Sequence, residues 1–290
     1  MTGLRCSAVM LALLPILGAT ATADDPGRIL WTRGDKIHRA RFDGSHVYDL
    51  VDEKVGGNFG VAYDPLHREI FWTNANGGTI RRCKLNGMRV QTIVSGIADA
   101  RGIVVDPEGG KLYWTDNIRD KIERSDLDGK HREDIVTGGL ASPIGLALDA
   151  KHKKIYWVET DLNKIERANL DGSQREALIT SGLARPEGIA IDAEAGKMFF
   201  ANSALGKIES ADLDGKNRRE IFSRPARDMW GLAVDPTEQL VFWVSERVEC
   251  VSYSGTGHRI LSANRADGIV AYRRSATDPK ERDLPKPPGE

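Results

Sequence analysis

A dominant charge is the first thing this chain lacks. Its 290 residues carry 41 basic and 42 acidic side chains, for a formal net charge of −1. That balance removes the electrostatic case for nucleic acid or an anionic membrane surface as a partner. Cysteine is scarce, with three residues: Cys6, Cys83 and Cys250. Beyond the N-terminal stretch no apolar run is long enough to cross a bilayer, so no membrane span is expected in the mature chain. Short catalytic signatures are missing too. There is no G-x-S-x-G elbow, H-E-x-x-H pair, phosphate loop or dinucleotide-binding glycine pattern. The six histidines, His38, His46, His67, His131, His152 and His258, stand without metal-ligand spacing.

The N-terminus reads separately from the rest. Arg5 precedes an apolar stretch over 7–17, and Ala21-Thr22-Ala23 offers a small-x-small site before Asp24. This is the layout of a secretory signal peptide over 1–23. The competing reading is an uncleaved anchor, but the stretch is short and holds Pro15 and Gly18. A secreted or periplasmic protein is expected. Cys83 and Cys250 are then the pair a disulfide would have to join.

What the chain has in abundance is self-similarity. Trp31, Trp72, Trp114, Trp157, Phe200 and Trp243 recur every 41 to 43 residues, each behind an apolar neighbour. A turn block recurs with them, as Leu127-Asp128-Gly129 or Leu170-Asp171-Gly172. A third block reads GVAYD at Gly60, GIVVD at Gly102, GLALD at Gly145, GIAID at Gly188 and GLAVD at Gly231. A sixth copy, GIVAY at Gly268, loses the Asp. The Tyr-Trp runs suit strands buried on both faces. Asp-Gly predicts tight hairpin turns with positive φ at both central residues. Gly-x-Ala places small side chains on one face of a strand, as a crowded convergence of strands requires. The Asp that follows is predicted to cap a turn with its carboxylate.

Four short strands per unit and six units predict an all-β, six-bladed β-propeller over 24–274. The last Gly-x-Ala strand has no Tyr-Trp strand after it, and the first Tyr-Trp strand has no Gly-x-Ala strand before it. Their pairing would close the ring and remove two open edges. Residues 275–290, rich in Pro and charge, are expected to form a disordered tail. Cys83 aligns with Ala40, Ser125, Ala168, Ala211 and Val251, a small buried slot. It lies two blades from Cys250, so no disulfide is expected.

With YWTD at Tyr113, KIER at Lys121 and Lys164, LDG at Leu127 and PEGIAID at Pro186, the chain resembles the LDL-receptor class B (YWTD) propeller family. The resemblance covers about residues 28–273. Only Trp114-Thr115-Asp116 keeps the full motif; Trp157-Val158-Glu159 and Phe200-Ala201-Asn202 drift from it. The resemblance implies that the motif is structural, with polar members bonding within and between blades. It also implies protein ligands on the face where the Gly-x-Ala strands begin. No Cys-rich modules accompany the repeats, so a stand-alone, monomeric member is expected.

Side chains repeated around a ring cannot mark one site, so function is expected where the copies differ. The position before each strand glycine reads Phe59, Arg101, Ile144, Glu187, Trp230 and Asp267. These should surround the mouth of the central channel, with Asn58 and Asp228 close by. Aromatics, an Arg and carboxylates around a concave mouth suit a protein or peptide ligand. The plainer reading is that Phe59, Ile144 and Trp230 plug the channel. A non-catalytic binding module without a cofactor is the main expectation. The alternative is a metal-dependent lactonase or esterase of the gluconolactonase type, with Ca²⁺ on Asn58, Glu187 and Asp267.

Overall fold

The computed structural model describes residues 27–52, 57–225 and 228–273. The signal peptide expected over 1–23 and the tail expected over 275–290 lie outside the described residues.

Among the described residues the apolar runs and turn residues give 24 strands. The first blade holds β1 (Arg28–Arg33), β2 (Lys36–Arg41) and β3 (Tyr48–Asp52). The second holds β4 (Asn58–Asp64), β5 (Glu69–Asn74), β6 (Thr79–Lys84) and β7 (Gln91–Val94). The third holds β8 (Ala100–Asp106), β9 (Lys111–Asp116), β10 (Lys121–Asp126) and β11 (Glu133–Thr137). The fourth holds β12 (Pro143–Asp149), β13 (Lys154–Glu159), β14 (Lys164–Asn169) and β15 (Glu176–Ile179). The fifth holds β16 (Pro186–Asp192), β17 (Lys197–Asn202), β18 (Lys207–Asp212) and β19 (Arg219–Ser223). The sixth holds β20 (Leu232–Asp235), β21 (Leu240–Val244), β22 (Val248–Ser252) and β23 (Arg259–Ser262). Finally β24 (Gly268–Tyr272) joins the first blade, in the order β24-β1-β2-β3. All pairings are antiparallel, and Thr32 stands opposite Gly268 at the closure. The protein is a six-bladed propeller closed by its last strand.

The core lies between blades. Along β1, Ile29 and Trp31 pack with Phe242 and Ile269, whereas Leu30 packs with Val61 and Trp72. Each Tyr-Trp strand is thus buried on both sides. Five indoles, at Trp31, Trp72, Trp114, Trp157 and Trp243, are fully buried. These residues are packing, as the repeat argument requires. Cys83 and Cys250 are buried in different clusters and form no disulfide.

Polar members of the repeat tie the blades together. The Thr115 hydroxyl accepts from Gly102 N at 2.9 Å and donates to Ile144 O of the next blade at 3.0 Å. Thr73 does the same between Gly60 N and Arg101 O, and Thr32 between Gly268 N and Phe59 O. The drifted blades move the tie two residues on. There Thr160 donates to Pro186 O and Ser203 to Met229 O. Farther out, Arg82, Arg124 and Arg167 each donate to the turn carbonyl of the next blade, at Leu127, Leu170 and Leu213.

Two turn expectations fare differently. The Asp carboxylates do cap: Asp64, Asp106, Asp149, Asp192 and Asp235 each accept from the N–H three residues later. The Asp-Gly turns, however, carry positive φ only at the glycine, as at Gly129 (84°), and not at Asp128. Gly129 N returns to Asp126 O, and Asp126 N donates to Lys130 O. This is a type I turn followed by a left-handed glycine, the longer of the common hairpin loops. The glycine is needed for a second reason. A Cβ on it would lie 1.9 Å from Ile93 O of the preceding blade.

Candidate functional site

The mouth is built by the way the innermost strands enter the ring. In the second to fifth blades the register with the neighbouring strand shifts where β4, β8, β12 and β16 begin. Phe59-Gly60, Arg101-Gly102, Ile144-Gly145 and Glu187-Gly188 fall in these bulges. A bulge re-aims the side chain it contains and releases it from the pleat. The glycines permit a close approach. A Cβ on Gly60, Gly102, Gly145, Gly188 or Gly268 would lie 2.0 to 2.9 Å from a carbonyl oxygen of the next blade. Any side chain there would push the ring open.

Two cavities meet at this constriction. The smaller, about 60 Å³, lies at the mouth and is lined by Phe59, Ile144, Trp230 and Asp267 above the ring glycines. The larger, about 330 Å³, runs toward the opposite face between Val, Ile, Leu and Ala residues of the innermost strands. The structure thus brings four of the six expected site residues to one concave surface. Phe59, Ile144 and Trp230 are half-buried, so each keeps an accessible apolar edge.

The other two expected residues are placed differently. Arg101 lies over the Phe59 ring, 4.4 Å from its centroid, and its Nε donates to Asp99 at 2.8 Å. It braces the aromatic from outside the cavity. Glu187 is 2 % exposed. Its Oε1 meets Arg185 at 3.1 Å, and the same guanidinium reaches Asp228 at 3.1 Å. Its Oε2 has no hydrogen-bond partner. Burial pushes the Glu187 carboxyl above its ordinary range, and burial does the same to Asp267. Asp267 faces Arg265 Nε at 3.7 Å, and that guanidinium lies 4.3 Å from the Trp230 centroid.

Of the alternative metal set, Glu187 and Asp267 are held as described above. Asn58 is buried, and its Oδ1 accepts from Asn74 Nδ2 at 2.9 Å. Among the described residues no three His, Cys, Asp or Glu side chains come together to hold a metal ion.

The neighbouring loops share this face. Asn117 N donates to Asp99 O, Thr160 N to Ser142 O and Ser203 N to Arg185 O. The sequence offers these loops as a rim for the site without singling out their apolar tips. Ile118, Leu162 and Leu205 are 68 %, 47 % and 48 % exposed in three consecutive blades. They form an apolar arc outside the mouth. The signal was one large apolar residue in each of the loops Asn117-Ile118-Arg119-Asp120, Thr160-Asp161-Leu162-Asn163 and Ser203-Ala204-Leu205-Gly206.

The chain as a whole is similar to several known proteins. A model of the "Virginiamycin B lyase family" matches residues 16–253. Nidogen-2 of Mus musculus is 36 % identical over 112 residues, which is 36 % of this chain and 8 % of that protein. Low-density lipoprotein receptor-related protein 5 of Homo sapiens is 37 % identical over 125 residues, 40 % of this chain and 8 % of that protein. Protein cueball of Drosophila grimshawi is 39 % identical over 90 residues, 29 % of this chain and 15 % of that protein. The matched stretches are therefore small parts of these relatives. A solved structure of a nidogen/laminin complex superposes with a TM-score of 0.80 at 20 % identity, covering 86 % of this chain and 99 % of that one. TolB of Acinetobacter baumannii gives 0.69 at 14 % identity, over 85 % of this chain and 66 % of that one. At these identities the two structures speak for the fold. The sequence matches agree that the repeats are of the YWTD type.

Proposed function

The chain belongs to the Virginiamycin B lyase family, and from that membership and its YWTD-type repeats we propose a secreted or periplasmic binding module that takes a protein or peptide segment at the channel mouth. The observation that carries this reading is Trp230. It is the one tryptophan outside the repeat slot, and it is the one left half-buried, at a cavity it lines with Phe59 and Ile144. A large, rigid, amphipathic ring at the centre of a concave surface is the usual anchor of a protein contact. The mouth cavity is too small for a drug-sized molecule, so a side chain from a larger ligand suits it better. The apolar arc of Ile118, Leu162 and Leu205 extends the surface beyond the cavity. Among similar structures, the nidogen one is a complex with laminin, which supports the reading by analogy of fold. A monomer is proposed.

The test is affinity capture from the protein's native extract with wild type and Trp230→Ala as baits. A ligand lost with the ring, at unchanged melting temperature, supports the reading. The family's description favours a second reading, catalysis. Its candidate base is Glu187, whose Oε2 is unmatched and whose carboxyl is held above its ordinary range by burial. Turnover of an ester or lactone that disappears with Glu187→Gln would replace binding by catalysis.

A further inference from the structure

We propose that Glu187, Trp230 and Asp267 form a subsite for a basic side chain, an Arg or Lys of the bound segment; this rests on the binding reading above. The three residues hold one slot, immediately before the ring glycine, on three consecutive blades. The indole therefore has a carboxylate to either side of it around the mouth. An indole face attracts a cation through its quadrupole, and carboxylates attract it through charge. Glu187 Oε2 is buried without a donor. A buried carboxylate oxygen left so is costly unless a donor reaches it. Burial raises both acids, so both gain when a cation arrives.

The protein's own cations display the preference. Arg265 stacks on Trp230 at 4.3 Å and points Nε at Asp267. Arg185 bridges Glu187 and Asp228. These two side chains are 60 % and 51 % exposed. Each guanidinium is the exposed partner of its pair, so a ligand cation that takes its place keeps the carboxylate paired while the arginine returns to water. A metal ion fits less well. The indole offers it no ligand atom, and among the described residues no three His, Cys, Asp or Glu side chains are grouped to hold one.

The test selects a displayed random peptide library on the immobilised protein, then synthesises the strongest binder. We expect one enriched position to be Arg or Lys. Exchanging that residue for citrulline, which keeps the shape and removes the charge, should weaken binding by about tenfold or more. Glu187→Gln with Asp267→Asn should cost as much, and the citrulline peptide should lose nothing further on that variant. If the double variant does not fold, the same coupling is read on Asp267→Asn alone. Binders that need Trp230 but tolerate citrulline, or carry no basic position, overturn the subsite and leave the binding reading standing. Binders indifferent to Trp230→Ala, or no enrichment, overturn both.

Discussion

Thr115 in the third blade donates its hydroxyl hydrogen to the carbonyl of Ile144 in the fourth, at 3.0 Å, while accepting from Gly102 in its own blade. One buried hydroxyl thus holds two backbone groups at the tightest point of the ring. It also sets the depth at which Ile144 meets the mouth cavity. The fourth blade has Val158 in the same slot, its Cγ2 3.2 Å from where a Cβ on Gly145 would lie.

The tie gives a paired prediction. Thr115→Val keeps the shape but leaves the part-buried Gly102 N–H without its acceptor and the part-buried Ile144 carbonyl without its hydroxyl donor. It should cost about 1–3 kcal/mol. Val158→Thr supplies the missing donor toward Glu187 O and should gain about 0.5–1.5 kcal/mol. Urea unfolding of both variants checks the signs. A neutral Thr115→Val would show that the tie is dispensable.

Closure is the second prediction. Asp267 N donates to Thr32 O, Gly268 N to the Thr32 hydroxyl, and β24 pairs with β1 along five residues. Removing 266–290 should leave β1 as an open edge, expose Ile29 and Trp31, and lower the melting temperature by well over 5 °C or promote aggregation. Removing 275–290 alone should leave the melting temperature within about 2 °C of the full chain. Equal losses would mean that the ring does not depend on its last strand.

The third prediction concerns acidity. Glu159 occupies the slot of the motif aspartate, and burial pushes its carboxyl up to about 6. It accepts from Ala141 N at 2.7 Å and from the Trp157 indole at 2.8 Å. The folded state therefore holds its proton more tightly than the unfolded chain does. The stabilising contribution is complete below about 4.5 and is lost as pH rises through about 6, a difference of about 2 kcal/mol. Stability should accordingly rise as pH falls from 7 to 5. Glu159→Gln should flatten that segment of the profile. A wild-type profile that declines over the same interval would refute the assignment.

Blade number, strand order and the structural role of the Tyr-Trp runs were legible because each is stated six times in the sequence, and closure followed from the unmatched strands at its two ends. A pattern imposed by packing repeats wherever the packing repeats. The mouth was legible only as positions. Trp230 and Glu187 could be located before their glycines, but not the arginines beside them. Arg185 and Arg265 lie in loops whose partners no repeat fixes. The Asp-Gly turns were misjudged for a related reason. The dipeptide allows positive φ twice, and the loop length, set by the preceding blade's approach to Gly129, selects it once.

Trp230 tests whether the mouth is a site or a plug. Its ring is half-buried, lines a cavity of about 60 Å³, and stacks with an exposed Arg265. It belongs to none of the buried clusters that join the blades, unlike Trp243 in the same blade. A plug would share in those clusters and would be missed by the fold. Trp230→Ala should therefore lower the melting temperature by less than about 3 °C while weakening a mouth-binding peptide by about 2 kcal/mol or more. Trp243→Ala should do the reverse, costing about 3–5 kcal/mol of stability through the cavity it leaves. Calorimetry and a binding isotherm on the two variants separate the roles, and similar thermal losses in both would make Trp230 part of the core.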